Sequence, residues 1–227
     1  MQEMLFLVEG AKSVLEFLKS DLHVSEVYGT ETFWQQNERE ITHSKVNFEF
    51  ASETELRQAG TLSTNNAALA LVEIPKPEIV RLKQDRWVIA LDHINDPGNL
   101  GTIIRIADWY GIEQIVVSDN SVDAFNPKTV SASKGSLTRV KVHYADLHKT
   151  LVDYEGPILG ADMQGKDVHN MNALEGGILL MGSESHGISE ELGVLLTERI
   201  TIPRVGGAES LNVAVATAII CDCLIGR

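Results

Sequence analysis

The sequence predicts an α/β protein: a parallel sheet covered by helices in its larger C-terminal part, preceded by a smaller α/β part. Short apolar runs alternate with helical patterns from Trp87 onward, and strands alternating with helices make a parallel sheet covered on both faces. Residues 5 to 73 show the same alternation in shorter segments. Between the two lies Ile74-Pro75-Lys76-Pro77 and a charged stretch to Arg86, where the prolines block regular structure. The boundary therefore falls near residue 80, giving parts 1–80 and 81–227.

In the first part, Leu5–Val8 is an apolar strand, and Ala11–Leu18 carries Val14, Leu15 and Leu18 at helical spacing. Val24–Tyr28 and Val46–Phe50 read as strands, Glu53–Gln58 as a short helix and Ala67–Val72 as a last strand. The second part reads strand (Trp87–Leu91), helix (Leu100–Tyr110), strand (Gln114–Ser118), helix or turn (Asn126–Lys134) and strand (Val140–Tyr144). Strands at Ile158–Ala161, Ile178–Met181 and Ile200–Ile202 follow, then a closing helix from Ser210. Open parallel sheets bind ligands outside the carboxyl ends of their strands, so the loops there are where chemistry is expected.

Composition narrows the class. No apolar run is long enough to span a membrane, and the N-terminal apolar stretch is too short for a secretory signal, so a cytoplasmic protein is expected. Cys221 and Cys223, with no second pair elsewhere, read as core thiols and not as a metal site. A net charge of −13 argues against nonspecific clinging to nucleic acid. The charge is uneven, however: Lys128, Lys134, Arg139, Lys141 and Lys149 face a single acid, Asp146, between 128 and 149. That stretch is either a solvated basic surface or the one local patch able to meet phosphates.

Three loops at strand ends carry candidate chemistry. In Asp96-Pro97-Gly98-Asn99-Leu100-Gly101, Asn99 is a candidate N-cap, and Gly98 and Gly101 allow close backbone approach. Leu100, Ile103, Ile104 and Ala107 then form a buried stripe that leaves Arg105 outside it, as a solvated charge or a functional one. In Gly182-Ser183-Glu184-Ser185-His186-Gly187, an acid stands at a strand end, and Ser189 can cap the next helix. In Ile202-Pro203-Arg204-Val205-Gly206-Gly207-Ala208-Glu209-Ser210-Leu211-Asn212, a flexible turn precedes the last helix, with Asn212 in its first turn as a capping or surface amide. A dinucleotide-binding Gly-x-Gly-x-x-Gly is not supplied by the first loop.

Asn-x-Gly-x-x-x-Arg (Asn99, Gly101, Arg105), then Gly182-x-Glu184-x-x-Gly187, then Ile202-Pro203 with Ser210-Leu211-Asn212, resembles the three signature motifs of the SpoU/TrmH family of RNA ribose 2′-O-methyltransferases. The resemblance covers residues 87 to 227. Residues 1 to 80, with Phe6-Leu7-Val8-Glu9-Gly10 and the segment from Leu62 to Val72, resemble that family's small ribosomal-protein-like domain, which binds the RNA substrate. Ser183 departs from the family's usual asparagine, and Ser131 from a common basic residue. No basic helix precedes the first strand, as one often does in relatives.

The resemblance implies a parallel α/β domain closed by a C-terminal trefoil knot, S-adenosylmethionine as cofactor, ribosomal or transfer RNA as substrate, and a homodimer. Gly182, Gly187, Ile202 and Leu211 would hold the cofactor, with no metal involved. Arg105 would be the catalytic arginine, and Asn99, Glu184, Ser210 and Asn212 would complete the catalytic set. A guanidinium stays protonated, so Arg105 is expected to stabilise a developing alkoxide. Lys128, Lys134, Arg139 and Lys141 would contact RNA phosphates. A catalytically silent RNA-binding relative is the alternative.

Overall fold

The structure, a computed structural model, describes residues 4–172 and 174–225. Its first sheet is mixed, in the order β1 (Leu5–Glu9), β4 (Ala68–Glu73), β2 (Val24–Gly29), β3 (Asn47–Phe50). β4 runs antiparallel to β1 and β2, while β2 and β3 are parallel. Helices α1 (Ala11–Leu18), α2 (Glu31–Ser44) and α3 (Glu53–Ala59) join these strands. All the expected elements of this part are present, and α2 is added. Asn37 leaves helical geometry in the middle of α2 (φ −133°), its side chain donating to the Phe33 carbonyl. That kink breaks the 3.6-residue repeat that would have revealed the helix.

The second sheet is parallel throughout, in the order β10 (Glu198–Thr201), β8 (Ile158–Asp167), β9 (Gly177–Met181), β5 (Trp87–Leu91), β6 (Gln114–Ser118), β7 (Lys141–Ala145). Every residue of β5 and β9 is buried, because helices cover both faces of these central strands. One face packs on α4 (Pro97–Trp109) and α8 (Val213–Leu224), through Ile89, Ile103, Leu179 and Ile220. The other packs Val88, Ala90 and Leu180 against α6 (Leu147–Leu151) and α7 (Glu190–Gly193). Val80 and Leu82, from the segment between the sheets, join this second core.

Several element bounds differ from expectation for a local reason. α4 starts at Pro97, with Asp96 as its N-cap accepting from the Asn99 amide, so Asn99 lies inside the first turn. β8 continues to Asp167 along a polar exposed stretch that apolar patterning does not reveal. α6, opened by Asp146, and α7 are additions, each too short to show a helical apolar period. α8 begins at Val213, not Ser210, because Asn212 is its N-cap.

The two parts share one core. α5 (Pro127–Ser133) follows Phe125, whose ring meets that of Phe6 from β1 at 4.9 Å. Arg139 bridges Glu16 of α1 and Asp108 of α4, at 2.7 and 2.8 Å. Among the described residues, no helix is long and apolar enough to cross a membrane. Within the parallel sheet the chain runs outward from β5 through β6 to β7, and then fills the other side with β8, β9 and β10. The direction reverses between β5 and β9, and a ligand crevice is expected outside their carboxyl ends.

Candidate active site

Parallel strands point all their carboxyl ends to one edge, so the loops after β5, β9 and β10 emerge together. Side chains from the three motif loops meet there. The Asn99 amide donates to Glu184 Oε1 at 2.9 Å. Asn212 Nδ2 donates both to that oxygen and to Asn99 Oδ1, each at 2.9 Å. The Val213 backbone amide adds a longer contact to Glu184 Oε1 at 3.4 Å. Asn212 Oδ1 meanwhile caps α8, accepting from the amides of Ala214 and Val215 at 3.0 and 3.3 Å. Every polar atom of the Asn212 side chain is used, and Asn212 is therefore both a helix cap and the junction of the three loops. Glu184 Oε2 has no hydrogen-bond partner among the described residues.

The second loop folds on itself. Ser183 and Gly187 exchange backbone hydrogen bonds at 3.1 and 2.9 Å, and Gly187 adopts a left-handed φ of +67°. A Cβ on Gly182 would stand 2.0 Å from the Gly187 carbonyl carbon. Gly182 is thus required by the loop's own closure. Gly101 behaves alike: a Cβ there would lie 2.5 Å from the Thr129 carbonyl, so it lets α4 cross α5.

Beside this network a cleft of about 660 Å³ opens between the second and third loops. Gly182, Gly187, Ile202 and Leu211 all line it, as do Glu184 and Ser210. Its volume lies within the usual range for small-molecule sites, and its walls combine apolar side chains such as Ile188 and Val213 with backbone groups of glycine-rich turns. β8 adds a wall the sequence did not single out, Ala161 to Met163. Ser210 makes no hydrogen bond to the network among the described residues. Arg105 is exposed on α4, off the buried stripe of Leu100, Ile103, Ile104 and Ala107, and has no ion-pair partner among the described residues.

The basic residues are not gathered at this site. Lys128 is beside it, 3.1 Å from Asp96, and its hydrogen bond, with the Asn99 amide, holds the Asp96 carboxyl below its ordinary pKa. Lys134 ends α5 in a left-handed conformation and has no ion pair among the described residues. Arg139 is committed to Glu16 and Asp108, and Lys141 to Glu78 at 2.7 Å. Both line a separate cleft with Gln114, the first residue of β6. Lys141 likewise opens β7, so that cleft is at the amino ends of the strands, across the sheet from the motif loops. The part before residue 80 carries thirteen Asp and Glu against six Lys and Arg, which leaves little for gripping phosphates.

Residues 86–222 match the SpoU rRNA methylase family. The chain is 31% identical to the 23S rRNA (guanosine(2553)-2′-O)-methyltransferase RlmP of Bacillus subtilis, over 95% of this chain and 86% of that protein. It is 30% identical to a 23S rRNA (uridine(2479)-2′-O)-methyltransferase of Streptomyces viridochromogenes, over 70% of this chain and 60% of the relative. A candidate TrmH-family RNA methyltransferase from Porphyromonas gingivalis superimposes with a TM-score of 0.85 at 32% identity, covering 99% of this chain and 90% of that one. The SpoU methyltransferase AviRb of S. viridochromogenes, solved in complex with AdoMet, shares the fold at a TM-score of 0.83 and 24% identity, over 98% and 89% of the two chains. With its three motif loops joined at the carboxyl edge of a parallel sheet, the chain belongs to the SpoU rRNA methylase family.

Proposed function

We propose that the protein transfers a methyl group from S-adenosylmethionine to a ribose 2′-hydroxyl of ribosomal RNA. One observation carries this reading: Glu184 both lines the cleft and is hydrogen-bonded to Asn99 and Asn212, joining a small-molecule site to the base of the helix that bears Arg105. Backbone groups around Gly182, Gly187, Ile202 and Leu211 hold the cofactor, which supplies an electrophilic methyl group when bound.

This chain's residues then orient the hydroxyl and manage its proton. Arg105 remains cationic and offers a planar fork of donors, so it stabilises the developing alkoxide and grips a neighbouring phosphate. That phosphate, a water or Glu184 Oε2 would take the hydroxyl proton as the methyl group passes to the ribose oxygen and its bond to the cofactor's sulfur breaks. Asn99 and Asn212 keep Glu184 in place, and Ser210 lines the approach. Lys134 meets RNA phosphates, and so does Lys128 where a phosphate replaces its Asp96 partner; Arg139 and Lys141 are engaged at the opposite edge of the sheet, away from the motif loops.

Residues 1 to 80 select the RNA, and residues 81 to 227 carry the reaction with the C-terminal segment threaded as the family's knot. A second copy completes the enzyme. Trp109, 82% exposed, is one turn beyond Arg105 on the same side of α4, and Val215 is exposed on the neighbouring α8. An exposed tryptophan one turn from a functional arginine, with an exposed apolar side chain on the neighbouring helix, suits a homodimer face. Incubation with labelled S-adenosylmethionine and ribosomal RNA, followed by mapping of 2′-O-methyl positions, tests the proposal. Cofactor binding without methyl transfer to any ribosomal or transfer RNA would favour a silent RNA-binding relative.

A further inference from the structure

Asp92 is 97% buried, and none of the three motifs includes it. It directly follows β5, and the residue is bound to both ends of the second loop. Its backbone amide donates to the carbonyl of Met181, the last residue of β9, at 2.9 Å. Its Oδ2 accepts from the amide of Ser189, where the loop enters α7, at 2.8 Å. The other oxygen, Oδ1, shares a hydrogen bond of 2.7 Å with His93 Nδ1, whose tautomer sets the donor. His93 is itself fixed, because its amide donates to Ser118 Oγ at 2.9 Å and its backbone takes a left-handed φ of +58°. Ser189 opens α7 without any side-chain cap bond, so the buried carboxylate is what anchors that end of the loop.

Between the two anchored ends lie Gly182, Ser183, Glu184, Gly187 and Ile188, which all line the cleft. A buried charge hydrogen-bonded to a backbone amide is a strong and directional tether. Polar groups left unpaired in such a place cost more than a mean hydrogen bond contributes. We infer that Asp92 is a positioning residue for the cofactor site, clamping both stems of the Gly182–Ile188 loop so that Glu184 and the cleft wall stay in register with Asn99. This rests on the cofactor occupying that cleft.

The test uses the full-length protein and S-adenosylmethionine. Parent binding by calorimetry examines the site itself: no binding by the parent would remove the cofactor reading, whatever Asp92 does. Given parent binding, Asp92→Ala should raise the cofactor Kd about tenfold. Asp92→Asn should recover most of the affinity, since its carbonyl oxygen still accepts from Ser189. Ser189→Pro is the second variant. Ser189 has φ −60°, a value proline adopts without strain, so the change removes the N–H that Asp92 binds and leaves Asp92 itself intact. It should raise Kd by a similar factor. Hydrogen exchange should quicken at residues 183–188 in both Asp92→Ala and Ser189→Pro, with β9 unchanged. Parent-like Kd and parent-like exchange in Ser189→Pro would overturn the inference, as would equal losses in Asp92→Asn and Asp92→Ala.

Discussion

Asn212 offers the sharpest test of the three-loop junction, because its two roles can be separated by substitution. Asn212→Ala removes the cap of α8, worth about 1 kcal/mol. It also removes two amide hydrogen bonds, one of them to a carboxylate, together worth roughly 1–2 kcal/mol when discounted for an exposed setting. The sum of about 2–3 kcal/mol corresponds to a fall in Tm of roughly 4–12 °C for a chain of this size. Asn212→Ser keeps a good N-cap oxygen and loses only the donors to Asn99 and Glu184. It should therefore melt roughly 2–8 °C below the parent, well above the alanine variant, and transfer methyl about fivefold to thirtyfold more slowly, with weakened cofactor binding. Thermal unfolding, calorimetry and single-turnover methylation at saturating RNA make the comparison. A serine variant with parental rate and parental affinity would show that Asn212 is a helix cap alone, and that the junction has no part in the reaction.

Arg105→Ala should leave folding and cofactor affinity near parental, because the side chain is exposed and off the buried stripe, while slowing methyl transfer by about two to three orders of magnitude. Arg105→Lys should rescue poorly, and an unslowed alanine variant would make the arginine an ordinary surface charge. Replacing Lys128 and Lys134 by alanine should flatten the salt dependence of RNA binding by roughly one log–log unit per lost phosphate contact; an unaltered slope would move the RNA path elsewhere. Burial pushes the Asp108 carboxyl up, but hydrogen bonds from Arg139 and Ser136 outweigh it, and its pKa lies below the ordinary value. A carboxylate depressed in the fold stabilises above its unfolded pKa, near 4, and that contribution is lost as pH falls through the folded value. Asp108→Asn should thus lower stability at neutral pH and flatten the acid limb of Tm against pH; superimposable curves would show that the Arg139 bridge adds nothing.

Most of the sheet was legible because central parallel strands are buried on both faces and read as continuous apolar runs, as Trp87–Leu91 and Gly177–Met181 do. The polar half of β8 and the kinked α2 were not, since neither holds a simple apolar period. At the site, the motif residues Asn99, Glu184 and Asn212 could be picked out by type and spacing. That they touch one another depends on three strand ends meeting at one edge, a fact of sheet order that no local pattern holds. The basic segment is split between two edges for the same reason. Lys128 and Lys141 are neighbours in sequence terms, yet one is at the carboxyl edge beside Asp96 and the other at the amino edge beside Glu78.

The motif glycines carry a consequence for how the site must be dissected. The sequence reads Gly101 as allowing close backbone approach, and the family resemblance assigns Gly182 to the cofactor. In the fold, their missing side chains make room for the protein's own backbone, at Thr129 and at Gly187. Gly182→Ala would drive a methyl group into the Gly187–Ile188 peptide, whose nearest atoms stand 2.0–2.3 Å from the added carbon. No rotation of a flexible side chain relieves that contact, so the loop itself must move, taking Glu184 away from Asn99. Loss of cofactor binding in such a variant would therefore report a deformed loop as readily as a blocked pocket. Leu211→Ala avoids the ambiguity, because Leu211 lines the cleft and is 46% exposed, with little packing to lose. If the cofactor lies against it, affinity should fall with Tm nearly unchanged; unaltered affinity would take Leu211 out of the cofactor's contact surface.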